Sequence, residues 1–134
     1  MTLDELFEEF EALEDWEERC EFLIDMGFEL PDFPDHQKTE RNRVHGCQSN
    51  VWLIAENITD SEVQLLADSD AMIVRGLIFV ILTIFSGQSP QAILETDVES
   101  IFDRLELNRH LSSQRKNGLS GMVERIRKIA EQAV

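Results

Sequence analysis

The chain has 134 residues, enough for one domain with a real core, and its 43% hydrophobic content without any low-complexity tract excludes a disordered or fibrous protein. Its formal charge of −15, from 27 acidic against 12 basic side chains, repels phosphate backbones and anionic lipid, which argues against nucleic acid and membranes as partners. The same acidity keeps the surface solvated and leaves a basic partner patch as the compatible protein surface.

Met1–Phe10 holds four acidic residues and no base, unlike the charged head and apolar run of a signal peptide. Leu77–Phe85, the longest apolar stretch, is broken only by Thr83 and is too short to span a bilayer. With only Cys20 and Cys47 as cysteines, the expectation is a cytoplasmic protein with reduced thiols.

Thr2 and Glu5 have the form of a capping box, followed by Leu3, Phe7 and Phe10 on one helical face. A second helix is predicted from Asp15 to Met26, burying Trp16, Cys20, Leu23 and Ile24, with Gly27 ending it; Cys20 is thereby core packing. Two prolines and two aspartates make Leu30–Asp35 an irregular connection. Strands follow: Lys38–Val44 as an edge, Ser49–Ile58 as the central strand, and Glu62–Ala67, joined to it by a hairpin-length link.

From Asp68 onward the pattern is helical. Asp68 or Ser69 can cap a core helix bearing Ile73, Val74, Leu77, Ile78, Ile81 and Leu82, which Gly87 ends. Ser89-Pro90 starts a short helix, Asp97 begins another through Leu105, and a long one runs from Ser112 to Gln132. The predicted fold is α+β: a small antiparallel sheet of about three strands packed with helices from both ends of the chain.

Chemistry concentrates in Arg43–Trp52, where Gly46, Gln48 and Ser49 leave the Cys47 sulfur unhindered and near hydrogen-bond donors, in a loop feeding a strand. Beside it lie Arg43 and His45. No Cys-x-x-Cys or His-x-x-x-His spacing supports a metal site, no glycine-rich phosphate loop points to a cofactor, and no paired-carboxylate motif is present. On residue type, a cysteine hydrolase using His36, His45 or His110 as base for Cys47 stays open. Arg125, Arg127 and Lys128 read as a solvated face balancing Glu124 and Glu131.

The segment Arg-Val-His-Gly-Cys-Gln-Ser-Asn-Val-Trp (43–52) resembles the active-cysteine segment of the SufE family of sulfur acceptors, which includes the CsdE proteins. Asp-Ser-Asp-Ala-Met-Ile-Val-Arg-Gly-Leu (68–77) resembles the family's loop and helix start. His-Leu-Ser-Ser-Gln-Arg-Lys-Asn-Gly-Leu (110–119) resembles its entry into the last helix, so the likeness spans essentially the whole chain. His45 and Ser113 stand where proline is often expected, a departure that bears on loop stiffness rather than chemistry.

The resemblance implies a fold shared with the IscU-type scaffolds, but not their role, since a cluster scaffold needs three cysteine ligands and only one is suitable here. It implies that the protein docks on a pyridoxal-phosphate cysteine desulfurase of the SufS or CsdA kind, accepts its persulfide sulfur on Cys47 and passes it to an iron–sulfur scaffold. A CsdE-like adaptor would feed another acceptor. It also implies that Cys47 rests in a loop-lined apolar cavity and that Asp70 and Arg115 lie near the loop and partner surface. From the residues alone, Asp70 is equally a helix cap and Arg115 a solvated arginine.

Overall fold

The computed structural model describes residues 1–46 and 48–134; Cys47, on which the reactive-thiol expectation falls, lies outside the described residues. The capping box forms as predicted: the Glu5 N–H donates to Thr2 Oγ1 at 3.2 Å and the Thr2 N–H to Glu5 Oε1 at 3.1 Å, starting α1 (Leu3–Ala12). Leu6, Phe7 and Phe10 give it a buried face. The second helix, α2 (Trp16–Gly27), starts where Asp15 Oδ1 accepts the Glu18 N–H at 2.9 Å.

The strands are β1 (Val51–Ile58) and β2 (Val63–Ser69), antiparallel, pairing Val51 with Ser69 and Leu53 with Ala67. A bulge between Ala55 and Asn57 shifts the register near the hairpin end. The expected edge strand over 38–44 is corrected: Glu40–Asn42 form a 3-10 turn, and only Arg43 bridges to Trp52. With the single hydrogen bond from the Val44 N–H to the Val51 carbonyl, 2.8 Å, the sheet stays two-stranded. Lys38 is drawn out of strand geometry by the Asp68 carboxylate, 3.2 Å away, and by the Trp52 ring, 5.4 Å from its Nζ.

The apolar run forms α3 (Met72–Phe85), which buries Leu77, Ile78, Val80, Ile81, Ile84 and Phe85 and packs against α2, β2 and the last helix. Each such side chain, taken from water, contributes about 1.5 to 3 kcal/mol, so α3 organises the core. Its crossing with α2 is close because both contact points are glycine: a Cβ on Gly76 would lie 2.5 Å from the Leu23 carbonyl oxygen, and one on Gly27 2.9 Å from the Gly76 nitrogen. Gly27 does end α2, but this contact, rather than a left-handed cap, is its structural use.

Past Gly87, whose φ of +86° turns the chain, come α4 (Pro90–Glu95) and α5 (Val98–Arg104), capped by Ser89 and Asp97. Glu106, at φ 60°, then starts a short unpredicted helix, α6 (Leu107–His110), and Ser112 caps α7 (Ser113–Ala133). Helices from both ends of the chain thus flank the sheet, the α+β arrangement. Among the described residues no helix is long and apolar enough to cross a membrane.

Candidate functional site

The three segments singled out in the sequence, 43–52, 68–77 and 110–119, converge on one cavity of about 280 Å³. Gln48 and Ser49 form its rim on the loop before β1. Val74 and Leu77 of α3 form an apolar wall, and Arg115, Gly118, Leu119 and Met122 of α7 close the far side. The lining is mixed: aliphatic side chains from two helices face it together with the hydroxyls of Ser49 and Ser112 and the amide and guanidinium groups of Gln48, Gln114 and Arg115. Such a site accepts a small, soft, apolar group and offers donors to a developing negative charge.

The loop is fixed at both ends. On the β1 side, Asp70 takes the Asn50 N–H on Oδ1 at 3.2 Å and the Asn50 side-chain amide on Oδ2 at 2.8 Å. Asp70 therefore holds the loop rather than capping α3; the cap residue is Ala71, with no side-chain cap, and its N–H is taken by Ser69 Oγ at 3.2 Å. The predicted caps, Asp68 and Ser69, are therefore not the N-cap of α3. Asp68 is spent on Lys38, 3.2 Å away, and on Arg75, 3.4 Å away.

On the other side, Gly121 of α7 faces the loop. A Cβ there would sit 3.0 Å from the His45 carbonyl oxygen and 3.3 Å from Val44 Cγ1. Arg125, one turn on, donates to the Arg41 carbonyl at 3.0 Å and the Arg43 carbonyl at 3.4 Å, and so ties the loop's approach to the same helix. Gly46 turns the chain at φ +92°, a conformation that a side chain would strain.

Arg43 and His45 share one carboxylate: Glu40 lies 3.6 Å from Arg43 Nη1 and 3.6 Å from His45 Nε2. His45 is 72% exposed. His110 stacks on Trp16, with ring centroids 4.8 Å apart, and His36 lies in the 3-10 turn Asp35–Gln37. Among the described residues no histidine lines the cavity. Cys20 is half-buried rather than sealed in the core. Burial pushes its thiol pKa up, the nearby Arg115 charge offsetting this only in part.

Sequence reasoning singled out Arg43, His45, Gly46, Gln48, Ser49, Asp70 and Arg115, and the structure places Gln48, Ser49 and Arg115 on the cavity itself. It missed Asn50 and Gly121. Glycine in a helix interior, costing about 1 kcal/mol against alanine, was the available signal for the second.

A family model described as SufE, the Fe–S metabolism associated domain, matches residues 4–130. The chain belongs to the SufE family. A SufE-like protein of Rhizobium meliloti is 43% identical over 133 residues, covering 97% of this chain and 95% of its own. One of Rhizobium etli is 41% identical, covering 97% and 90%. The solution structure of a hypothetical protein from Thermus thermophilus has the same fold, with a TM-score of 0.77 and 24% identity over 99% of this chain and 98% of its own. Membership places this SufE-family chain in iron–sulfur metabolism, and its cavity is where the family-like segments meet.

Proposed function

We propose that this SufE-family protein is a cytoplasmic sulfur acceptor that acts as one domain with a pyridoxal-phosphate cysteine desulfurase and carries sulfur on Cys47. The carrying observation is the convergence of the three segments on one cavity of mixed lining rimmed by Gln48 and Ser49, the residues that follow Cys47.

The transfer is a thiol exchange. The Cys47 thiolate attacks the terminal sulfur of the desulfurase's cysteine persulfide; the sulfur–sulfur bond breaks, the partner's cysteine leaves as a thiolate, and Cys47 holds the persulfide. One thiolate is consumed and one released, so no electron donor is required. The protein has no turnover of its own, but it regenerates the partner's nucleophile. An iron–sulfur scaffold is the favoured onward acceptor, because the family is associated with Fe–S metabolism.

The test is incubation with the host's desulfurase and cysteine, followed by peptide mass spectrometry. Added sulfur is expected on the Cys47 peptide and none on the Cys20 peptide, with alanine release rising to saturation as the acceptor is added. Undiminished loading of a Cys47→Ser variant, or hydrolysis of esters by the protein alone, would overturn the reading.

A further inference from the structure

The two outer edges of the sheet are treated differently. The outer side of β2 is sealed by the turn after α3: the Gly87 N–H donates to the Val63 carbonyl at 2.8 Å, the Val63 N–H to the Gln88 carbonyl at 2.7 Å, and the Leu65 N–H to Ser86 Oγ at 3.0 Å. Among the described residues, the outer side of β1 has only the Arg43–Trp52 bridge and the Val44-to-Val51 hydrogen bond at its start. From Ile54 to Ile58, among the described residues, no backbone group pairs on that side. By strand alternation from Val51, Ala55 directs its N–H and carbonyl outward there.

This open edge borders a groove of about 1050 Å³ between β1, the turns over 37–42 and α7. Ile54, Ile58 and Ile129 supply its apolar surface, and Ile58 is 47% exposed. Its charged lining is Arg41, Arg125 and Lys128, with no carboxylate. That is unusual in a chain of charge −15, whose first 37 residues alone hold fourteen acids and one base. Arg125 is engaged by the Arg41 and Arg43 carbonyls and keeps its charge against the groove. Among the described residues Lys128 pairs only with Glu124, 3.7 Å away on an exposed helix face, a pairing worth tenths of a kcal/mol.

We propose that this edge is a docking site where an extended acidic segment of a protein partner adds as a third strand beside β1. Natural sheets rarely leave an accessible edge uncovered, because its free N–H and carbonyl groups pair with any extended chain. Strand addition supplies affinity through the main chain and specificity through alternate side chains. Here apolar residues of the segment would cover Ile54, Ile58 and Ile129, and intervening Asp or Glu residues would face Arg41, Arg125 and Lys128. The open edge spans about 17 Å, five residues at the strand rise, so the paired segment is short. Glu56, the only charge on β1, lies at the bulge, which limits how far pairing runs.

The test is titration of the full ¹⁵N-labelled chain with a capped octapeptide of alternating Val and Glu, followed by amide shifts. Expected are shifts confined to 37–42, 53–58 and 125–133, and binding weakened about tenfold or more in the double variant Arg41→Glu/Lys128→Glu, whose side chains are exposed. Ala55→Pro, which removes an outward N–H, should abolish binding; if it unfolds, the charge reversals still decide. Three results would each overturn the proposal: equal shifts with a Val-Lys octapeptide, equal competition by an oligothymidylate, or sedimentation showing that a second copy of this chain occupies the edge. So would edge amides that do not respond.

Discussion

Asp70 holds Asn50 with both carboxylate oxygens, one on the backbone N–H at 3.2 Å and one on the side-chain amide at 2.8 Å, across twenty positions of sequence. The bond joins the start of α3 to the stretch between Cys47 and β1, so it restrains the loop that, in the proposed function, receives the sulfur. Asp70 is exposed, so the bond contributes little to global stability and much to where the loop rests.

Replacing Asp70 with Ala should therefore separate loop control from stability. A loss of about 0.5 to 1 kcal/mol is expected, smaller than for removal of a helix cap. Alkylation of Cys47 should speed up several-fold as open loop states gain population. Native-state alkylation followed by peptide mass spectrometry reads the rate and a urea melt reads the stability; an unchanged rate would leave Asp70 without a hold on the thiol.

Gly121 restrains the other side of the loop. Alanine there gains about 1 kcal/mol of helix propensity but puts a methyl 3.0 Å from the His45 carbonyl, so Gly121→Ala should change stability little. Gly121→Val adds two further carbons towards Val44 and should cost about 1 to 3 kcal/mol. Thermal melts of the pair check the contrast, and a valine variant as stable as the alanine one would mean that the loop does not rest on α7 here.

Helices were legible because their signals are local. The Thr2–Glu5 box, the Asp15, Ser89, Asp97 and Ser112 caps and the 3.6-residue stripe of α3 all lie within a few positions of the structure they direct. The segment 38–44 was misjudged because its conformation is decided by Asp68 and Arg125, thirty and more positions away. Family likeness put Asp70 near the loop, and it bonds Asn50 there, while the cap reading failed, since a carboxylate before a helix start reads the same whether it bonds the helix or a distant asparagine. Likeness brought the three segments forward one by one; that they share one cavity came only from the packing of α3 against α7.

Cys20 separates the two thiols of the chain. Burial raises its pKa, so at neutral pH it is a thiol, not a thiolate, and a poor nucleophile. Cys20→Ala should leave desulfurase-dependent sulfur loading unchanged and cost about 1 kcal/mol or less, as the side chain is only half-buried. In the wild type, Cys20 alkylation should rise with pH to a midpoint above that of an ordinary cysteine. A midpoint at or below the ordinary value would remove the chemical distinction between Cys20 and Cys47.

Acid should loosen the end of the chain that carries α7. Glu106 accepts from Arg19 Nη1 at 2.7 Å and lies 3.7 Å from His110 Nε2, and the Arg19 hydrogen bond holds its carboxyl below the usual carboxylate pKa. Because the folded pKa is depressed, its stabilising effect is fully present above the unfolded value near 4.5 and is lost as pH falls through the lower folded value. Arg19 also donates to the Phe10 carbonyl at 3.1 Å, so this carboxylate links α1 and α2 to the turn that begins α6. Glu106→Gln should lower the melting temperature at pH 7, and the gap to the wild type should shrink steadily below pH 4.5. Melts from pH 7 to 3 check this, and a gap that stayed constant across that range would show that the charge on Glu106 contributes nothing to holding the turn.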